Sequence, residues 1–251
     1  MSIIDELLLR FSAITLPEMD RVTLLNRVDT KFIFRVGKLP AILKKLPEVY
    51  RALEIEGNRQ THYETLYFDT PDYRMYLDHH NKKLNRFKVR SRKYVESNQC
   101  FFEVKFKNNR GRTIKKRVND TTLNDIINDN PGELLSELTP YRPEMLVPSL
   151  RVFFSRITLV NKSLTERITL DTGLSFQKGD ETASYPGVVI AELKQDRSQR
   201  SRFRTALREE HVVQSSMSKY CLGIISLNQH IKKNNFKSKM LNINKLNHDI
   251  D

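Results

Sequence analysis

Charged residues, most of them cations, recur at every second position in several separated stretches of this chain, with apolar residues in most of the positions between them. Lys88, Arg90 and Arg92 alternate with Phe87 and Val89, and Glu103, Lys105 and Lys107 alternate with Phe102, Val104 and Phe106. Arg167 and Asp171 share a parity opposite Ile168 and Leu170; Glu192 and Lys194 share one opposite Ala191 and Leu193. Lys115 and Arg117 add another pair. Side chains two apart on a strand point to the same face. The pattern therefore constrains the chain to a sheet with one charged and one apolar face. The charged face needs open water or a polyanion.

A solvated surface explains any one such strand. Recurrence in separated segments argues for convergence. Same-face neighbours sit roughly 6.5–7 Å apart. Unit charges in contact repel by about 1 kcal/mol in water and by about 4 kcal/mol at an effective dielectric near 20. The wider spacing lowers those figures by less than half. Cations converging in a channel thus destabilise the fold unless acids or an anion compensate. Asp29, Glu103, Asp171 and Glu192 compensate in part, and a row of phosphates suits Arg and Lys better.

The 251 residues suit a single β-barrel with added helices, and the formal net charge of +13 favours acidic partners: nucleic acid, anionic lipid or a phosphate-rich small molecule. Cys100 and Cys221 lie far apart and form no CxxC pair, so reduced thiols are expected rather than a disulfide or a zinc site. The first residues carry no basic stretch, and no apolar run approaches the ~20 residues that span a bilayer. A soluble, cytoplasmic protein is expected, with a membrane-embedded partner left open.

Helical spacing of Ile4, Leu7, Leu8 and Phe11 predicts a helix over 3–13. Strands are expected at 27–35, 62–69, 83–94, 100–107, 112–118, 150–160, 166–171 and 188–195. Helical patterns occupy 37–46, 122–129, 201–210 and 218–233, and Thr70-Pro71-Asp72 opens a helix or turn. The prolines at 131, 140, 143 and 148 mark a connection between two halves of one barrel. The fold expected is α+β: an antiparallel eight-stranded β-barrel, closed or nearly so, with helices packed outside. One domain spans 1–235, and 236–251 reads as a basic tail, polar enough to be disordered.

The motifs RVDTKF (27–32), LYFDTPDY (66–73), RFKVRSRKY (86–94), FFEVKFK (101–107), RITLDTGL (167–174), VIAELK (189–194) and SKYCLG (218–223) resemble, in their order and spacing, the polyphosphate-polymerase domain of the vacuolar transporter chaperone (VTC) family. That domain belongs to the triphosphate tunnel metalloenzymes, which are related to CYTH proteins. The resemblance covers about residues 27–223. It implies an antiparallel tunnel whose basic lining holds ATP and polyphosphate, with Mn²⁺ or Mg²⁺ bound from the wall. Matching motifs assign phosphate contacts to Lys31, Lys88, Arg90, Arg92, Lys105, Arg156, Arg167, Lys194 and Lys219. Of these, Lys88, Arg90, Arg92, Arg167 and Lys194 form the catalytic set. Glu192 is the implied principal metal ligand, with Glu103 beside it. Many tunnel enzymes carry ExExK on the first strand. Here that stretch is Arg27-Val28-Asp29-Thr30-Lys31, closer to the polymerase branch.

Phosphoryl transfer needs positioning and charge neutralisation more than covalent help. No GxSxG, P-loop or HExxH motif is present. His79 and His80, adjacent in sequence, diverge by about 100° on a helix and make a poor metal pair. The expected activity passes the γ-phosphate of a nucleoside triphosphate to a growing polyphosphate chain. A tripolyphosphatase or nucleoside triphosphatase in the same tunnel is the first alternative, and a non-catalytic polyphosphate- or inositol-phosphate-binding domain the second. Nucleic acid is disfavoured because Phe87, Phe102 and Phe106 lie opposite the basic ladder. Oligomeric state and any membrane subunit stay open.

Overall fold

The computed structural model describes residues 2–19, 27–196 and 200–248, apart from the side chain of Arg27. Among them, one sheet contains β1 (Ser12–Ile14), β2 (Arg27–Arg35), β3 (Tyr50–Leu53), β4 (Thr61–Asp69), β5 (Arg86–Tyr94), β6 (Gln99–Lys107), β7 (Thr113–Asp120), β8 (Val147–Asn161), β9 (Glu166–Lys178), β10 (Glu181–Tyr185) and β11 (Val188–Asp196). The helices are α1 (Ile3–Leu8), α2 (Leu16–Met19), α3 (Leu39–Leu43), α4 (Arg74–His80), α5 (Asp129–Leu138), α6 (Arg202–Glu209), α7 (Lys219–Leu227) and α8 (Lys237–His248).

The main path runs β2-β11-β9-β8-β4-β5-β6-β7. Every pairing along it is antiparallel. Among the described residues no ladder joins β7 to β2, so the expected eight-strand barrel is a wrapped sheet left open at one seam. The exposed edge of β2 is partly covered: Phe32 bridges Gln214, and Ser215 N donates to Lys31 O at 3.1 Å. The β7 edge is guarded by exposed Lys115, Lys116 and Arg117, whose charge discourages pairing with another strand.

Register fixes the two faces. On the outer one, Phe32, Phe34, Ile157, Leu159, Ile168, Leu170, Ala191 and Leu193 are buried under α1, α3 and α6. Farther along, Leu66, Phe68, Val89, Phe102 and Val104 meet Leu134 and Leu135 of α5 and Met75 of α4. Each of these side chains larger than alanine contributes about 1.5–3 kcal/mol by leaving water. The inner face carries the charged parity.

Helices do not stay outside. Tyr220 of α7 stacks on inner-face Tyr67 with ring centroids 4.9 Å apart. A Cβ at Gly223 would fall 2.5 Å from side-chain atoms of both Leu150 and Phe176, so only glycine lets α7 approach this closely. Ile33 of β2, Ile190 of β11 and Leu174 of β9 join the same cluster, together with Ile243 of α8. The sheet thus wraps around α7 and plugs one end of its own concavity. A bulge assists. Gly173 (φ 59°) and Leu174 both lie opposite Phe154 between the pairs Ser155–Thr172 and Phe153–Ser175. The extra residue flips parity, so that Asp171 and Leu174 both face inward.

Several expectations shift. The helix at 3–13 stops at Leu8, because Ser12–Ile14 pairs in parallel with β3. Residues 37–46 give only a 3₁₀ turn (Val36–Lys38) and α3. The helix expected over 122–129 is absent. It starts at Asp129, with Pro131 in the first turn, where its missing N–H costs little. The helix at 218–233 ends at Leu227. The tail read as disordered forms a 3₁₀ turn (Asn234–Phe236) and α8, because Phe236 and Ile243 find apolar partners that composition does not reveal. Strands β1, β3 and β10 carry no sequence signal strong enough to have been expected.

Candidate functional site

Cross-strand register places the eight predicted cations that lie on strands on the inner face. Lys31 faces Glu192, Asp29 faces Lys194, and Lys194 faces Arg167. Arg156 faces Asp171, Arg90 faces Glu103, and Lys88, Lys105 and Lys115 form one row across β5, β6 and β7. Lys219, the first residue of α7, enters from the plugged end.

The acids arrange these cations in three groups, each built on one carboxylate. Glu103 accepts from Arg90 Nε at 2.6 Å and also contacts Lys115. Asp171 accepts from Arg156 Nε at 2.6 Å and Nη2 at 2.8 Å, and from Lys219. Glu192 Oε1 meets Lys31 Nζ at 3.2 Å and Lys194 Nζ at 3.1 Å. Burial favours the neutral form of all three acids, and the flanking cations overrule it. Arg90, Arg92 and Lys115 hold Glu103 well below the carboxylate range, and Arg156 and Lys219 do the same for Asp171. Lys31 and Lys194 hold Glu192 at about 2.

One acid stands against two cations in the Glu103 and Asp171 groups, whereas in the Glu192 group Lys194 Nζ also meets Asp29 Oδ2 at 3.1 Å; further cations sit between the groups. Lys88 Nζ donates to the Ser218 hydroxyl at 2.7 Å, and burial lowers its pKa. Arg92 Nε donates to Thr65 Oγ1 at 3.1 Å, and its guanidinium lies over Tyr63 and Phe154. Among the described residues Lys105 has no hydrogen-bond or ion-pair partner; Arg90 first, then burial and Arg92, bring it down to about 5. Burial takes Lys219 to about 8, with Asp171 opposing the fall and Arg156 and Arg92 adding to it.

Sequence reading missed three contributors. Tyr67 is buried beside this wall, its hydroxyl accepting from Arg90 Nη1 at 3.2 Å; burial opposes ionisation, but Arg90, Arg92 and Lys88 pull the phenol below its usual value. Asp69 anchors the plug: it accepts from Met75 N and Tyr76 N at the start of α4 and from the Tyr220 hydroxyl of α7. Its place in the LYFDTPDY motif was the available signal. An aromatic row is the third. Phe154 stacks on Tyr63 (5.0 Å), Tyr63 meets Tyr94 (4.9 Å), and Tyr94 meets Phe101 edge-on (5.7 Å). Register puts all four rings on the inner face, interleaved with Arg92, Arg156 and Arg117. The ground for disfavouring nucleic acid, that aromatics stay off the basic face, therefore does not hold. Phe102 faces outward, and its neighbour Phe101 faces inward.

The histidine pair does not converge. His80 is held by Asn81 and by the backbone N–H of Asn235, whereas Nδ1 of His79 is buried without a partner. Burial, then Lys88, Arg86, Lys107 and Lys239, take His79 down to about 2.

For a divalent cation, no cluster of three or more His, Cys, Asp or Glu exists among the described residues. Glu192 still fits a single-carboxylate anchor, since both lysines sit on Oε1, and Asp29 is near, its Oδ2 3.1 Å from Lys194 Nζ. Mg²⁺ and Mn²⁺ commonly take one or two carboxylates and complete their shell with phosphate oxygens and water. Glu103 fits less well, because it is 0% exposed and cations engage both its oxygens.

Three solved structures align with this chain over most of their length. A Hippeastrum protein described as a candidate adenylyl cyclase with dominant triphosphatase activity aligns at 13% identity and TM-score 0.46, covering 79% of this chain and 96% of that one. A candidate adenylate cyclase of Vibrio parahaemolyticus aligns at 13% identity and TM-score 0.45, covering 76% and 94%. A protein of Pyrococcus horikoshii aligns at 16% identity and TM-score 0.43, covering 79% and 98%. No curated protein matches. The VTC domain model matches residues 26–228, from the first inner-face strand to the end of α7, and the chain belongs to the VTC domain family.

Proposed function

We propose that this chain is a polyphosphate polymerase that transfers the γ-phosphate of a nucleoside triphosphate, most simply ATP, to the end of a polyphosphate chain lying along the inner face. The surplus of converging cations carries this reading. Glu103 and Asp171 are each shared by two cations, and Arg92, on the same face, has a hydroxyl and two rings for partners but no carboxylate among the described residues. A chain of phosphates supplies the missing negative charge over the length of the face, which a single carboxylate or a monovalent anion does not.

The chemistry asks little of the wall beyond placement. A terminal oxygen of the acceptor attacks the γ-phosphorus, the bond to the β,γ-bridging oxygen breaks, and nucleoside diphosphate leaves with that electron pair. No protein nucleophile takes part. Arg90, Arg92, Arg156, Arg167, Lys88 and Lys194 hold the phosphates in line and neutralise charge on the equatorial and leaving oxygens. Lys219 and Lys31 approach from α7 and β2. A divalent cation held by Glu192, Mn²⁺ or Mg²⁺, supplies Lewis-acid neutralisation at the phosphate oxygens when bound.

Incubating the pure chain with ATP and Mn²⁺ tests the reading. Acid-labile polymer with stoichiometric ADP supports it. Orthophosphate without polymer makes the protein a triphosphatase in the same site, and binding without turnover makes it a non-catalytic binder. Arg90→Ala and Arg167→Ala are each expected to abolish synthesis while the chain stays folded; full activity in both would remove the site assignment.

A further inference from the structure

We propose that the aromatic row ending in Tyr94 and Phe101, flanked by Arg117, is the seat of the nucleoside base of the triphosphate donor, and that it fixes the direction in which the donor lies. This rests on the reading above that the inner face holds a nucleoside triphosphate.

Order along β5 is the first argument. Passing from the open end toward the plug, the inward side chains are Tyr94, Arg92, Arg90 and Lys88, and Lys88 reaches Ser218 at the N-terminus of α7. One aromatic position thus precedes an uninterrupted run of cations. Four residues of strand separate Tyr94 from Arg90, about 13 Å. A nucleoside triphosphate has the matching polarity: one planar apolar group, then a sugar, then a run of anionic groups. With the base at Tyr94, the phosphates lie against Arg92, Arg90 and Lys88, and the γ-phosphate is the group nearest α7. The reverse orientation sets the base among Lys88 and Lys105, beside Tyr67 and Tyr220, which are already stacked on each other.

The chemistry of the row is the second argument. Tyr63 and Phe154, 6% and 3% exposed under the Arg92 and Arg156 guanidinium groups, are closed to a ligand by burial. Tyr94 and Phe101 are only half-buried at the strand ends. Arg117, exposed on the edge strand, lies over Phe101 with its guanidinium carbon 4.3 Å from the ring centroid. A nucleobase stacks on an aromatic ring and on a guanidinium plane alike. The shelf therefore presents two planar surfaces of the kind a base takes, beside the phosphate wall and at its outer end.

The test compares two ligands that share the phosphates and differ in the nucleoside. The full chain is titrated with ATP and with inorganic tripolyphosphate, in wild type, Phe101→Ala and Arg117→Ala. The expected result for Phe101→Ala is about a tenfold loss of ATP affinity, equivalent to about 1.4 kcal/mol, with tripolyphosphate affinity unchanged. Arg117→Ala, whose exposed side chain puts the fold at no risk, is expected to lower the ratio of ATP to tripolyphosphate affinity severalfold. Unchanged ratios in both variants would overturn the shelf while leaving the phosphate site standing. Equal loss of both ligands would reduce Phe101 and Arg117 to a structural role and overturn it as well. Failure of the wild type to bind either ligand would remove the underlying reading instead.

Discussion

Arg90 and Glu103 face each other across β5 and β6, with Arg90 Nε donating to Glu103 Oε2 at 2.6 Å and the Glu103 side chain wholly buried. The pair sits amid Arg92, Lys105 and Lys115, so its carboxylate balances more than its nearest partner. Removing one member of a buried pair leaves an uncompensated charge, a cost of about 3–5 kcal/mol. Glu103→Gln is therefore expected to lower the unfolding free energy of the ligand-free chain by that amount, read as a fall in the urea midpoint at unchanged m-value. Saturating tripolyphosphate should recover much of the loss, because the anion replaces the missing charge. A destabilisation under about 1 kcal/mol would show that solvent already screens the wall.

Binding of polyanion should draw a proton from solution. Lys105 titrates at about 5 in the ligand-free fold, against about 10.4 for an unperturbed lysine, so at pH 7 it is mostly neutral. A phosphate beside it favours the ammonium form and raises that value. Between about pH 5 and the raised pKa, binding takes up a proton, and affinity weakens as pH rises, by at most tenfold per unit for one proton. The sign for stability is separate. Between about 5 and about 10.4 the unfolded chain binds more protons at this residue, so its contribution to stability improves as pH rises. Lys219, lowered to about 8, acts in the same direction over a narrower window. Calorimetry of tripolyphosphate binding at pH 7, in buffers of different ionisation enthalpy, should show less proton uptake in Lys105→Met than in wild type. Equal uptake in the two proteins would count against the lowered pKa.

How much of this was legible in the sequence follows from what each element depends on. The strands that build the wall were readable because period-two alternation is local, and Lys88, Arg90 and Arg92 carry it without interruption. Arg27–Arg35 coincides with its expected bounds for the same reason. The bulge at Gly173 was not readable, since it shows only when β8 is paired with β9. Nor was the plug: Gly223 in α7 looks like an ordinary helical glycine until Leu150 and Phe176 are brought against it. The sharing of Asp171 between Arg156 and Lys219 depends on that plug and was hidden with it. Tyr94 was within reach, being the next inward residue after Arg92.

Glu192 separates phosphate binding from metal binding. Its Oε1 neutralises Lys31 and Lys194, so Glu192→Gln makes the wall more positive. Tripolyphosphate affinity in the absence of metal should hold or rise, since a negative group near the phosphates has gone. Mn²⁺-dependent polymer formation should fall by at least an order of magnitude, in keeping with the loss of a metal ligand. Parallel loss of metal-free binding would instead mean that Glu192 matters only by positioning the two lysines. Undiminished Mn²⁺-dependent synthesis would remove it from the metal site.

The last helix offers a test independent of the phosphates. α8 lies beyond the residues matched by the VTC domain model, yet Asn247 Oδ1 accepts from Gly187 N at 3.0 Å and Ile243 is buried against the plug. A Cβ at Gly187 would come within 2.9 Å of Asn247 O and 3.0 Å of Leu246 O, both backbone atoms that yield only if the helix moves. Gly187→Ala should therefore undock the end of α8, at a cost of about 1–3 kcal/mol. Hydrogen exchange would report it as lost protection across 237–248 with little change in β5 and β6. Lys239 Nζ donates to Ser216 O at 2.8 Å, so loosening should spread toward the residues that lead into α7. Because the wall cations reside on strands and on α7, tripolyphosphate affinity should change less than threefold; protection of 237–248 equal to wild type would show that α8 is held without this close approach.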